Sequence, residues 1–274
     1  MTTPSGTGAP DWDPEQYRRH AGPRLRPLHD LLARIPPLLS PRPRIADLGC
    51  GPGGSSLLLA ERRPDAEITG YDLSEAMLAE ARAHAGPTAG GGRLDFARAD
   101  IAAWEPEGPY DLIVSNAALQ WVEGHRECFP RWVGALRPGG VLAFQVPGNG
   151  GAPSHTLLAR LRTSPRWRGR LGAGAVPTPV AEPAEYAAAL ADLGCETDVW
   201  ETTYVHLLAG EDPVLEWTAG TVLRPVLTAL GGDRAARDAF LDEYRGLLRE
   251  AYPKGPHGTW FPFRRIFAVA RRPA

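Results

Sequence analysis

Cysteine is scarce in this chain, with three thiols in 274 residues. Cys50, Cys128 and Cys195 lie far apart and form no C-x-x-C pair, which excludes a zinc ribbon or a dithiol redox centre of that kind. Reduced thiols in a cytoplasmic protein are the simplest reading. No apolar run approaches ~18 residues, so no apolar transmembrane helix is expected. The opening Met1-Thr2-Thr3-Pro4-Ser5-Gly6-Thr7-Gly8-Ala9-Pro10 lacks the basic region and apolar centre of a signal peptide. Residues 1–11 read instead as a disordered leader. Charge of one sign is missing too: the formal net charge is −2, which gives no broad field for nucleic acid. No internal repeat is visible.

What the chain does have is ample apolar material, 43% of its residues, and one informative turn. In Ile45-Ala46-Asp47-Leu48-Gly49-Cys50-Gly51-Pro52-Gly53-Gly54-Ser55-Ser56 a short apolar run ends in an acid, passes closely spaced glycines and opens into Leu57-Leu58-Leu59-Ala60. Strand, tight turn and helix follow one another. Glycine allows the left-handed backbone and close approach that such turns need, and a helix start offers free N–H groups to a ligand. The dinucleotide fingerprint places pyrophosphate there. Asp47 would repel pyrophosphate, which disfavours a dehydrogenase. It suits a ligand with an ammonium group, such as the methionine part of S-adenosylmethionine (SAM). A second apolar run, Ile68-Thr69-Gly70-Tyr71, ends in Asp72, where nucleotide-binding α/β folds place the acceptor of ribose hydroxyls. Ser74 reads mainly as a helix N-cap.

The rest of the chain supports an α/β fold of βαβ units. Strands are predicted at 44–48, 67–71, 94–99, 110–115 and 141–146, with helices at 28–35, 55–63, 75–84 and 126–136 between and before them. Residues 86–92 read as a flexible loop. Pro138-Gly139-Gly140 reads as the stop of the last of these helices. After Pro147 the pattern changes. A short helix is expected at 154–162, a helix at 182–193, a strand at 197–208, helices at 212–230 and 233–251, and a final strand at 263–270. The organisation expected is a helical cap over 12–43, a cofactor core over 44–147, and 148–274 completing the sheet with an inserted helical lid over its carboxyl ends.

With Asp47, the glycine turn and Asp72 in this order, the chain resembles the Rossmann-like class I SAM-dependent methyltransferases. Ala99-Asp100-Ile101, Asn116 after the fourth strand and Leu136-Arg137-Pro138-Gly139-Gly140 agree with it. A narrower likeness, to the branch that esterifies trans-aconitate, covers nearly the whole chain. It includes Leu25-Arg26-Pro27, Asn116-Ala117-Ala118-Leu119-Gln120-Trp121, Gln145-Val146-Pro147-Gly148-Asn149, Thr202-Thr203-Tyr204-Val205-His206, Leu223-Arg224-Pro225 and Phe267-Ala268-Val269-Ala270. Gly54 and Gly150 depart from it. The resemblance implies a class I methyltransferase sheet with a helical substrate lid. It also implies a SAM site built from Asp47, Gly49, Gly51, Gly53, Asp72, Leu73, Met77, Asp100, Ile101 and Asn116. Asp100 is expected near the exocyclic amine of adenine.

The implied reaction moves the methyl of SAM to one carboxylate of a tricarboxylate, giving a monomethyl ester. A carboxylate is already ionised at neutral pH. No catalytic base, metal or covalent intermediate is therefore expected, and alignment with exclusion of water should suffice. Two further carboxylates need recognition, for which Arg is the natural bidentate partner. The candidates are Arg224 and Arg265, with Tyr17, Gln120, Trp121, Asn149, His155, Tyr204 and His206. Two other readings remain at this level. One is the same scaffold acting on a phenol, amine or lipid, with His155 or His206 as base. The other is a SAM-binding protein without turnover.

Overall fold

The computed structural model describes residues 21–171 and 180–274. The leader, residues 12–20 of the expected cap and Tyr17 lie outside the described residues. The described strands form one sheet: β1 (Arg44–Leu48), β2 (Glu67–Asp72), β3 (Gly86–Pro87), β4 (Arg93–Arg98), β5 (Tyr110–Asn116), β6 (Leu136–Pro147), β7 (Glu196–Leu208), β8 (Lys254–Gly255) and β9 (Gly258–Arg271). Their order is β3-β4-β2-β1-β5-β6-β9-β7, with β8 paired to β9. Strands β4, β2, β1, β5 and β6 are parallel, while β9 runs antiparallel to both β6 and β7. This is the Rossmann-like sheet of the expected class.

Helices cover both faces, because the central strands are apolar on both sides. On one face α1 (Ala21–Arg34) and α2 (Gly54–Arg62) bring Leu28, Leu31 and Leu59 onto Ile45, Ile68, Val114, Val141 and Phe267. On the other, α4 (Phe129–Gly134) and α7 (Pro183–Ala191) set Phe129, Trp132, Tyr186 and Leu190 against Ile113, Leu142, Phe144 and Ala268. Helix α3 (Glu75–Ala81) follows β2 and is capped by Ser74, whose Oγ accepts from the Met77 N–H.

Beyond the sheet a separate apolar core forms from α5 (Pro153–Arg162), α6 (Arg168–Leu171), α8 (Pro213–Ala219), α9 (Arg224–Leu230) and α10 (Arg234–Ala251). Its anchors on the sheet are Phe261 and Phe263 of β9. Pro147, the last residue of β6, pairs with Arg265, so residues 258–264 project past the carboxyl end of β6. The lid core therefore stands over the edge where ligands of open α/β sheets bind.

Several elements differ from the sequence prediction for identifiable reasons. The helix expected at 126–136 is a 3-10 turn at His125–Cys128 followed by α4. Strand β6 already begins at Leu136, so Pro138-Gly139-Gly140 lies inside it as an irregularity, where pairing with β5 shifts register after Tyr110. Gly139 has φ +76°, and its N–H donates to the Arg272 carbonyl. The single helix expected at 212–230 is two, α8 and α9, with Pro225 in the first turn of α9, where its missing N–H costs little. The loop expected at 86–92 contributes β3 at the sheet edge. The short helix α6 was not anticipated. Strand β9 extends five residues before the predicted start, from 258 instead of 263, into the lid.

Candidate active site

Strands β1 and β2 pair in register, Leu48 opposite Tyr71, so their acids come to one edge of the sheet. The glycine turn is tied there by the N–H groups of Gly49 and Cys50, which both donate to the Tyr71 carbonyl, at 2.8 and 3.0 Å. Gly49, Gly51 and Gly53 have φ of +79°, +56° and +88°, which is why side-chain-bearing residues fit poorly there. Gly51 has open space where a Cβ would be. At Gly49 a Cβ would meet the Ala118 Cβ at 2.2 Å, so the loop after β5 presses directly on the turn.

Asp72 is half-buried at the end of β2 and braces both neighbours. Its Oδ2 accepts from the Gly51 N–H at 2.9 Å and its Oδ1 from the Ser74 N–H at 2.8 Å. Each oxygen keeps a lone pair for a further donor. Leu73 beside it is exposed, and Met77 is buried below.

Asp47 is wholly buried. Its Oδ2 accepts from Ser55 Oγ and Ser56 Oγ, both at 2.6 Å, while Oδ1 has no partner among the described residues. Burial pushes its carboxyl up to about 6, against the lowering effect of the two serine hydroxyls. A buried acceptor left without a donor is costly, and a ligand ammonium is the donor that would relieve it. With Gly51 open and Asp72 able to accept two ribose hydroxyls, the residues present fit SAM.

At the third strand end Asp100 is exposed and its Oδ1 accepts from the Ala102 N–H at 2.9 Å, opening a 3-10 turn in which Ile101 is buried. Asn116 ends β5. Gln145 of β6 donates to its Oδ1 at 2.5 Å, and the same Gln145 accepts from Arg265 at 3.3 Å. A hydrogen-bonded chain thus joins Arg265 to the cofactor edge. Ala117, with φ +55°, turns the following loop, and Gln120 donates to its carbonyl at 2.6 Å. Gln120 is buried with Oε1 lacking a hydrogen-bond partner among the described residues, and Trp121 is half-buried at the end of this turn.

The remaining candidates separate. Tyr204, His206 and Arg265 share one face of the β7–β9 pair. Tyr204 is buried and donates to Asp30 of α1 at 2.5 Å. His206 packs against Trp217 of α8 in a tilted arrangement with ring centroids 4.8 Å apart. Asn149 serves the backbone: its Oδ1 accepts from the Arg264 N–H at 2.9 Å, and its Nδ2 donates to the Arg264 carbonyl at 3.0 Å. It also borders a groove of ≈ 570 Å³ walled by the ion-paired Arg264 and Glu182. His155 meets Ser154 Oγ at 3.0 Å, and burial pushes its imidazole down to about 4, which makes it a weak base. Arg224 opens α9, half-buried within the lid.

Sequence reasoning missed Ser55 and Ser56 as partners of Asp47, and Gln145 as the link between Arg265 and Asn116. The serines carried a signal, two hydroxyls directly after the glycine turn. Gln145 carried none, because its partners lie 29 and 120 residues away.

Known proteins share the fold and, over nearly the whole length, the sequence. A family model described as a methyltransferase domain matches residues 45–140. Among solved structures, the YcgJ protein from Bacillus subtilis superposes with a TM-score of 0.57 at 16% identity, covering 90% of this chain and 99% of that one. The phosphoethanolamine N-methyltransferase 2 of Haemonchus contortus, solved with S-adenosyl-L-methionine, gives a TM-score of 0.53 at 20% identity over 90% of this chain and 52% of its own. These share the fold. Trans-aconitate 2-methyltransferase of Rhodococcus jostii is 49% identical over 95% of this chain and 99% of its own. That of Streptomyces coelicolor is 63% identical over 97% of this chain and 88% of its own. The agreement spans cofactor edge and lid alike, and the chain belongs to the trans-aconitate 2-methyltransferase family.

Proposed function

We propose that the protein transfers the methyl group of SAM to one carboxylate of trans-aconitate, forming the monomethyl ester and S-adenosylhomocysteine, as a cytoplasmic enzyme. The observation that carries this is identity of 63% maintained over 97% of the chain, which takes in the lid as well as the cofactor core. No helix among the described residues is long and apolar enough to cross a membrane, and none of their acidic, histidine and cysteine side chains cluster as a metal site.

SAM, when bound, supplies an electrophilic methyl on a sulfonium centre. The protein's own side chains then have three tasks. Asp47 offers Oδ1 to the ammonium end, and Asp72 accepts the ribose hydroxyls while bracing Gly51. Asp100, Leu73 and Ile101 border the base. Arg265, steadied by Gln145, is placed to hold substrate carboxylate near Asn116. The attacking carboxylate is already an anion at neutral pH, so no side chain need remove a proton. This fits a candidate imidazole, His155, that burial makes a weak base. Attack joins an anion and a cation into neutral products. Excluding water by the lid favours it, and alignment at a reacting distance of about 3–3.5 Å supplies several kcal/mol more.

The test is mass spectrometry of the product from purified protein, SAM and trans-aconitate, beside cis-aconitate, isocitrate and a panel of phenols. A monomethyl ester formed fastest from trans-aconitate is expected. Methylation confined to the phenols would overturn the reading.

A further inference from the structure

We propose that Arg26 of α1 is a second carboxylate clamp, acting with Arg265 on the sheet face that carries Tyr204 to hold the two carboxylates of the substrate that are not esterified. This rests on the function proposed above and names the residues that read the substrate's extra charge.

The argument begins with strand register. Thr202 lies opposite Arg265, Tyr204 opposite Phe263 and His206 opposite Phe261. Opposed residues of an antiparallel pair share a face, as do residues two apart. Arg265, Tyr204 and His206 therefore look to the same side, and α1 covers that side at Tyr204. The Arg26 guanidinium lies over the Tyr204 ring, 5.0 Å from its centroid. The Tyr204 hydroxyl donates to Asp30, one helical turn further along α1, which fixes the ring beneath Arg26. Arg265 sits over the Phe263 ring at 4.7 Å and donates to Gln145, the residue that holds Asn116.

Both guanidiniums act on the same phenol. Burial and Asp30 push the Tyr204 hydroxyl up, while Arg26 and Arg265 both favour its ionised form. Arg26 thus covers the Tyr204 ring, Arg265 lies over the neighbouring Phe263 ring on the same face, and Arg265 is linked through a single side chain to the cofactor edge. Their surroundings differ usefully. Arg265 is buried and held in place, whereas Arg26 is exposed on a helix at the rim. Asp30 is the acid of this cluster, and its Oδ2 accepts the tyrosine hydroxyl. A tricarboxylate esterified at one position still presents two anions. One guanidinium fork binds one carboxylate, so the second anion calls for a second cation, and Arg26 is placed to supply it.

The experiment compares full-length wild type, Arg26→Ala and Arg26→Lys by steady-state kinetics with SAM and trans-aconitate. Calorimetry with S-adenosylhomocysteine reports the cofactor site separately. Removing an exposed side chain leaves the core intact, so the variants should fold. Arg26→Ala is expected to raise KM for trans-aconitate by about 10- to 100-fold, the loss of one charge-assisted contact. kcat and cofactor affinity should change little, and Arg26→Lys should recover part of the loss. A KM within twofold of wild type would overturn the clamp, as would a parallel loss of cofactor affinity. A wild-type protein that binds S-adenosylhomocysteine yet leaves trans-aconitate unmethylated would overturn the function itself, and the clamp with it.

Discussion

At the scale of single residues, the site is governed by which atoms are already engaged. Asp72 holds the glycine turn through Gly51 and the next helix start through Ser74, so one carboxylate sets the spacing of two N-terminal helix ends. Among the described residues Asp47 is held at one oxygen only. Gly49 and Gly51 make a sharper contrast. Both have positive φ, so alanine at either costs about 1–2 kcal/mol of backbone strain. At Gly49 the new methyl also collides with Ala118, 2.2 Å away, and must displace the loop that carries Asn116 and Gln120. At Gly51 it enters open space. Gly49→Ala should therefore show a large fall in Tm, while Gly51→Ala loses only the few degrees that backbone strain costs and also loses SAM affinity. Thermal melts and calorimetry decide this. A Gly51→Ala protein that binds SAM normally would mean that the ligand does not approach over Gly51. Both acids were legible from sequence because each ends an apolar run, and a strand end is a position that spacing alone defines. Arg26 was legible only as part of a resembling stretch. Its meaning depends on Tyr204, which no local pattern connects to it.

Among elements, the central parallel strands β1, β5 and β6 could be read from the sequence because each is an apolar run buried on both faces, and β4 because its residues alternate. The connections of the lid were harder. Pro225 sits inside an apolar stretch that otherwise reads as one helix, and whether a proline kinks a helix or starts a new one depends on what the chain packs against. Here Val222, Leu223 and Val226 join the lid core and α9 begins afresh. The loop from Gly148 to Ala152 has to connect sheet to lid without regular structure. Asn149 solves this by imitating a strand residue: its amide exchanges two hydrogen bonds with the Arg264 backbone, continuing the β6–β9 ladder past Pro147. The sequence suggested a substrate contact at Asn149, and the geometry adds a framework role that needs no ligand. Asn149→Ala leaves the Arg264 N–H without its side-chain acceptor, while the Arg264 C=O keeps the Gly148 N–H, at a cost of about 1 kcal/mol. A measurable drop in denaturation midpoint is expected, with faster amide exchange at Arg264. If the variant unfolds like wild type while KM for trans-aconitate rises alone, the side chain acts on substrate and the framework role fails.

For the whole molecule, two buried groups pull stability in opposite directions with pH. Burial raises Asp47 from 3.8 to about 6. Between those values the folded chain holds a proton that the unfolded chain has released, so stability falls as pH rises through the window. Burial lowers His155 from 6.5 to about 4. There the unfolded chain holds the extra proton, and stability falls as pH drops from 6.5 towards 4. His125, also pushed down by burial, adds to the second effect. Asp47 offsets part of the histidine effect, so from these groups wild-type Tm should fall towards acid less steeply than the two histidines alone would make it. Single substitutions should expose each slope. Asn at position 47 keeps the shape without the ionisable group, leaving the histidines to act alone, and Asp47→Asn should lose Tm steadily as the buffer is acidified from pH 6.5. His155→Gln leaves Asp47, and its Tm should decline as pH rises from 4 to 6. Ligand binding adds a third reading. A cation at Oδ1 favours the ionised carboxylate, so SAM affinity of the wild type should climb as pH rises through about 6, with proton release on binding, and Asp47→Asn should flatten that climb. Differential scanning fluorimetry and calorimetry across this range supply both measurements. Parallel Tm profiles for wild type and the two variants would mean that neither group carries the burial effect. A pH-independent affinity in the wild type would mean that the ammonium end is met elsewhere.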